Sequence, residues 1–204
     1  MINLLETEGI LYKFGSILAD IFVLSFLWLI FSLPIVTVGA STTALYYVCT
    51  KKAQGIDVYI LKSFWQSFKE GMIKSTLVLL TACLIGWVIW INFHALDQIN
   101  MGKGLTFSIR VALFIALIQV IFILMYAFPI VARFELSFFE VLKVALQLSN
   151  RHLILTISNL VLFVAICLVT IWIPFLFIFI SGMYIYLSSS IFVRIFRKYE
   201  PNFK

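Results

Sequence analysis

Charge is scarce in this chain of 204 residues: Asp, Glu, Lys and Arg make up 12% of it, against about a quarter in soluble domains. Between Arg151 and Arg194 there is none at all, and only Pro174 interrupts the apolar run. A soluble core has no use for so long a stretch. Two spans of about 20 residues each, set back to back, would cross a bilayer of roughly 30 Å twice. The 63% hydrophobic content and the 21 Phe suit a surface facing lipid, so the expected class is an all-α, polytopic membrane helix bundle in one domain covering residues 1–204.

Reactive side chains are scarce too. The three cysteines, Cys49, Cys83 and Cys167, form no CxxC pair and sit in or beside apolar segments, which argues against a disulfide framework or a thiolate metal site. With two His, no HExxH and no paired carboxylates, metal-assisted hydrolysis lacks its ligands. The run Gly39-Ala40-Ser41-Thr42 is not GxSxG, so a nucleophile elbow has no basis. A P-loop and a sizeable soluble domain are both missing, which excludes self-powered transport. No enzymatic activity, cofactor or metal is expected. The net charge of +6 does not point to nucleic acid, because the cations are scattered between apolar spans; a cytoplasmic bias facing anionic lipid accounts for it.

Five spans are expected, at about 17–36, 75–96, 111–131, 152–171 and 174–193. Residues Val38-Gly39-Ala40 resemble a signal-peptide cleavage site, but Glu6 and Glu8 outnumber Lys13 ahead of the first span and Asp20 stands at its start, so that span is expected to be retained. Too few residues separate Pro34 from Lys51 to cross a bilayer at about 1.5 Å each, and that stretch is expected to be a re-entrant or interfacial helix. With the N-terminus outside, all but Lys13, Lys103 and Arg110 of the 15 cations fall on the inner side, including the C-terminal group Arg194, Arg197 and Lys198. The positive-inside rule therefore predicts a cytoplasmic C-terminus. Trp90 and Trp172 then fall at the outer interface.

Two inner-face amphipathic helices complete the expected layout. In Asp57–Glu70, Leu61, Phe64, Trp65 and Phe68 share one face, Lys62, Gln66 and Lys69 the other, and Asp57 is placed to cap. In Ser137–Ser149 the polar stripe is Glu140, Lys143 and Gln147, opposite Phe138, Leu142, Ala145 and Leu146, and Ser137 with Glu140 reads as a capping box. Such helices either lie in the headgroup plane or pack beneath the bundle as elbows. Pro34-Ile35-Val36 and Pro129-Ile130-Val131 end the first and third spans, each followed by an amphipathic stretch and another span. That echo is either a parallel internal repeat or a coincidence in so apolar a chain.

Candidate contacts with a substrate or partner gather at the first break. Pro34 disrupts the helix ladder and Gly39 frees the backbone. Ser41 or Thr42 is expected to cap a helix starting at membrane depth, with Thr37 and Thr43 beside it. Backbone N–H groups freed there would attract anionic or hydroxyl-rich groups. The plainer reading is a tight turn whose small residues let helices approach closely, and Gly86, Ser181 and Gly182 permit the same. Asp20, Asn92, His94 and Asp97 are placed toward the outer face, where an Asp–His pair would bind a solute or relay a proton and separate groups would anchor helix ends. Gln119 and Asn159 lie deeper and are expected to make interhelical hydrogen bonds. Arg151 and His152 mark a helix start.

The run from Leu18 to Val48, with Trp28, Leu33-Pro34, Thr37, Gly39 and Thr42-Thr43-Ala44-Leu45-Tyr46, resembles the YesL-like bacterial membrane proteins of unknown function. The likeness continues through Phe64-Trp65-Gln66-Ser67-Phe68-Lys69 and more loosely through Phe128-Pro129 to the C-terminus. The resemblance implies a multi-span protein of Gram-positive-type bacteria, often encoded beside carbohydrate-uptake or polysaccharide-degradation functions, and it supplies no catalytic residues. On it rests the expected function: a non-enzymatic accessory or regulatory component of a carbohydrate-uptake system, in contact with the bilayer and a carbohydrate transporter complex. The alternative is a small stand-alone permease for a sugar or related solute.

Overall fold

A computed structural model describes residues 2–96, 102–172 and 177–199, and all its regular structure is helical. The helices are α1 (Ile2–Ser32), α2 (Val38–Ala53), α3 (Ile60–Ala95), α4 (Lys103–Arg133), α5 (Phe138–Arg151), α6 (Leu153–Trp172) and α7 (Phe177–Tyr199). Among the described residues, four are long and apolar enough to cross a membrane: α1 from Gly15, α3, α4 from Gly104, and α6. The expected fifth span begins outside the described residues. Helix α7 covers its remainder and runs on past Val193 to Tyr199.

The first span ends sooner than expected, at Ser32. Leu33 precedes a proline, and the Pro34 ring disfavours helical backbone there. A 3-10 turn, Ile35–Thr37, follows and leads straight into α2. The Thr37 hydroxyl lies 2.6 Å from the Phe31 carbonyl oxygen and 2.7 Å from that of Pro34. It thus occupies acceptors that the end of α1 leaves open.

Helix α2 is neither interfacial nor peripheral. It packs against α1, α3, α4 and α7, and Ala40, Ala44, Leu45, Val48 and Cys49 on it are fully buried. Its small residues are the cause. A Cβ added to Gly39 would stand 2.7 Å from the Ser75 carbonyl oxygen, and Gly71 of α3 would meet the Thr43 methyl at 3.2 Å. Backbones can approach this closely only where side chains are missing or short. A helix too short to span is tolerated because protein surrounds it and its own ladder satisfies its backbone.

The expected amphipathic segment Asp57–Glu70 is not a separate helix. It forms the first part of α3, one unbroken rod of 36 residues, about 54 Å long. Asp57 does not cap it; the first flanking residue is Tyr59, with no side-chain cap. Phe64 and Phe68 are buried as expected, whereas Leu61 and Trp65 face outward. The Phe31 ring packs among Phe64, Trp65 and Phe68 with centroids 5.2–5.7 Å away.

The second amphipathic helix does form. In α5 the predicted capping box is present: the Ser137 backbone N–H donates to Glu140 Oε2 at 2.8 Å. Its buried face is Val141, Val144, Ala145 and Leu148, rotated from the expected Phe138, Leu142, Ala145 and Leu146. This face packs on α4, with lesser contact to α3 and α6, so α5 is an elbow held against the bundle. The two proline sites of the internal echo take different forms. Pro34 separates two helices, while Pro129 sits inside α4, which continues to Arg133. One turn from a helix end, a missing N–H frees a single carbonyl and the ladder can end without a break.

Small residues also set the contact of α1 with α7. Gly182 faces Ser25 and Ile21 so closely that a Cβ would lie 3.1 Å from the Ile21 carbonyl oxygen. Gly86 has nothing within 4 Å and mediates no such contact.

Candidate functional site

The residues nominated at the first break come together in part. Ser41 and Thr43 are buried and Thr42 half-buried on α2, while Pro34 is exposed at the turn. Their hydroxyls are engaged by the protein. Ser41 Oγ donates to the Thr37 carbonyl at 3.0 Å and Thr42 Oγ1 to that of Val38 at 2.7 Å. Thr42 also accepts from Trp28 Nε1 at 3.1 Å, and Thr43 Oγ1 lies 2.7 Å from Ser75 Oγ. Ser41 and Thr42 therefore do not cap α2, whose first residue is Val38; they bond back to the preceding turn. These hydroxyls are bonded within the protein and Gly39 packs against α3, so the break forms a close packing contact.

The other nominated residues lie apart. Asp20 accepts a hydrogen bond from the Lys52 ammonium, and the two form an ion pair. This corrects the placement of Asp20 at the face opposite the Lys51–Lys52 connection, since directly bonded groups share one side. His94 is exposed near the end of α3, its ring 4.6 Å from that of Trp90 and its Nδ1 3.0 Å from the Trp90 carbonyl oxygen. Asn92 is exposed there and donates to the Val88 carbonyl at 2.7 Å. Asp97 lies outside the described residues. Asp20 and His94 make no pair. Of the deeper amides, Asn159 of α6 faces the Tyr184 hydroxyl of α7, while the Gln119 amide nitrogen meets no hydrogen-bond partner among the described residues.

The geometry gathers a different set. At the end of the bundle where α2 and α4 terminate, a cleft of about 520 Å³ opens between α2, α3 and the α4–α5 connection. Helix α3 contributes Gln66, Glu70 and Lys74, spaced four residues apart and therefore on one face. Tyr47 comes from α2, and Arg133 and Glu135 from the end of α4 and the residues after it. The Gln66 amide donates to Glu70 Oε1 at 2.9 Å, and Lys51 Nζ donates to the Tyr47 hydroxyl at 2.6 Å. A smaller cavity of about 210 Å³ adjoins it, sharing Tyr47 and Arg133 and adding Thr50, Lys51 and Gln54. Glu140 stands close enough to Lys74 to feel its charge. The Ser137 N–H and hydroxyl, then Lys143 and Lys74, hold the Glu140 carboxyl below its ordinary range.

By contrast, the cavities beside the apolar helix lengths present mostly apolar surface, although Thr42, Thr170, Ser181 and Tyr184 border one and Thr81 and Lys143 the other. One of about 350 Å³ lies between Trp28, Phe163, Ile166 and Ile185, and one of about 290 Å³ between Val78, Ile85, Leu124 and Leu146. The charged cleft suits recognition of a polar or ionic group, with donors and acceptors of both signs. In the sequence only Gln66 of this set stands out, on a polar stripe, while Lys74 and Arg133 count toward the charge asymmetry. The signal was the four-residue spacing of Gln66, Glu70 and Lys74; that α2 and α4 end beside it was not encoded locally.

The family described as "Protein of unknown function, DUF624" matches residues 21–93, which cover the C-terminal part of α1, all of α2 and nearly all of α3. The chain is 32% identical over 152 residues to the uncharacterized protein YteU of Bacillus subtilis (strain 168), covering 72% of this chain and 67% of that one. No solved structure matches it. The matched block holds the break, the packing joint on Gly39 and the α3 face of the cleft, and the chain belongs to this family of helical membrane proteins of unknown function.

Proposed function

We propose that this protein is a non-enzymatic, multi-span protein of the bacterial plasma membrane that serves as an accessory or regulatory component of a carbohydrate-uptake system. The observation that carries the reading is the charged cleft at one end of the bundle, set against apolar cavities elsewhere. A subunit that recruits or regulates a partner needs a polar surface at the end of its helices. A permease needs polar groups from several helices around a cavity at mid-depth. The hydroxyls of Thr37, Ser41, Thr42 and Thr43 are spent on their own fold, which weighs against the permease reading. The carbohydrate link rests on resemblance to the YesL-like proteins alone. The orientation follows from charge: the cleft and its cations, with Arg194, Arg197 and Lys198, face the cytoplasm.

Affinity purification in mild detergent tests this. The wild type is expected to bring down transporter subunits, and the double charge reversal Glu70→Lys with Glu135→Lys is expected to lose them. Recovery of the protein alone would count against the accessory role. Sugar uptake by proteoliposomes holding only this chain would replace it with the permease.

A further inference from the structure

Adjacent cations at the end of α2 have different partners. Lys52 is neutralised by Asp20. Lys51 instead meets a neutral phenol: its Nζ donates to the Tyr47 hydroxyl and stands 4.3 Å from that ring's centre. Among the described residues no carboxylate lies within ion-pair distance of Lys51. Its charge enters the 210 Å³ cavity, whose polar lining is Tyr47, Thr50, Lys51, Gln54 and Arg133, with no acid among them. Two cations of different shape thus share a small pocket with hydroxyl and amide donors. A guanidinium offers a planar fork matched to two oxygens of one anion, and an ammonium adds a point charge.

From this we infer that the cavity binds the phosphate group of a phosphate ester, with the remainder of the ligand in the larger cleft. A phosphate presents several strong acceptor oxygens, enough to engage Lys51, Arg133, Thr50 and Gln54 together. Past Arg133 and Tyr47, Glu70 and Gln66 accept from and donate to a hydroxyl- or amine-bearing substituent. The depth fits as well. Arg133 closes the uncharged run of α4, and Lys51 lies in the last turn of α2, so both stand where apolar helix gives way to polar groups, the level of lipid headgroups. The same chemistry is carried by a phospholipid headgroup and by a soluble phosphorylated polyol. Competing roles need no ligand: both cations offset the negative helix ends on which they sit, and the Arg133 guanidinium also stands over the Phe196 ring. The assignment stands apart from the accessory function proposed above.

Two arms test it and separate the sources. In the first, the protein is placed in nanodiscs of phosphatidylcholine with or without phosphatidylglycerol, and retained lipid is counted by native mass spectrometry. In the second, detergent-purified protein is titrated with inorganic phosphate and with glycerol phosphate by calorimetry. Selective retention of phosphatidylglycerol identifies the lipid source, and saturable binding of glycerol phosphate identifies the soluble one; each supports the site. Lys51→Gln and Arg133→Gln are each expected to weaken that binding about tenfold, the loss of one charge-assisted hydrogen bond. Lys62→Gln, an exposed cation of α3 outside the cavity, should leave it unchanged. Thr50→Val removes a neutral donor while keeping the pocket's charge, serves where a charge variant does not purify, and is expected to weaken binding measurably. Equal losses in Lys62→Gln, unaltered binding in the cavity variants, or no phosphate-bearing species bound in either arm would overturn the assignment.

Discussion

The Lys52 ammonium donates to the Asp20 carboxylate, joining α1 to the far end of α2 across the break at Pro34. Both side chains are largely sheltered, so the pair lies between the exposed and buried cases. Asp20→Asn is expected to cost about 1–3 kcal/mol, more than a surface pair and less than a fully buried one. A double-mutant cycle with Lys52→Gln, read by thermal unfolding in detergent, should show coupling. Cysteines placed singly at 20 and 52 should react with an impermeant thiol reagent from the same side of the membrane; reaction from opposite sides would refute the pairing.

Gly39 holds α2 against α3. Gly39→Ala puts a methyl 2.7 Å from the Ser75 carbonyl oxygen, a backbone atom that cannot swing aside. Overpacking of this kind costs about 1–3 kcal/mol. Gly86→Ala, with open space around it, is expected to be neutral or to stabilise α3 by about 0.5–1 kcal/mol. Equal unfolding temperatures for the two variants would show that α2 and α3 are not in close contact.

The α5 elbow depends on its capping box. Ser137→Ala removes the cap and is expected to lower stability by about 1 kcal/mol. Because Ser137 holds the Glu140 carboxyl below its ordinary value, the stabilisation is present at neutral pH. It is lost as acid protonates Glu140, below the usual carboxylate range. Glu140→Gln should keep much of the box and remove that pH dependence, measurable as protection of the α5 amides in hydrogen exchange at two pH values.

His152 gives a second, distinct pH signature. Its Nε2 lies 3.1 Å from the Tyr199 hydroxyl. Burial first, and then Lys198 and Arg151, depress its pKa below the usual His value. The unfolded chain therefore takes up the proton before the folded one. Stability should be level above about pH 6.5 and fall as the pH drops below it. His152→Gln is expected to flatten that fall; an unchanged acid limb would assign it to another group.

Much of this organisation was legible in the residues. The charge-free interval between Arg151 and Arg194 and the uncharged runs behind α3 and α4 announce helices of spanning length, whatever their neighbours. The Ser137–Glu140 box is equally local, since both partners lie within one turn. The Asp57–Glu70 stretch misled for a physical reason: its amphipathic period was right, but nothing in a period says whether a helix ends. No proline lies between Glu70 and Ser75, and the single Gly71, packed on Thr43, is tolerated within the helix, so α3 continued.

What the sequence determined by itself is the solvent, because the sum of apolar transfer energies along a run requires no partner. Tertiary structure alone decided that the short α2 lies at the centre, that Asp20 meets Lys52, and that Tyr47, Glu70 and Arg133 share one cleft. Each of these depends on how closely two backbones approach and where separate helices end, and those distances arise only when the helices pack.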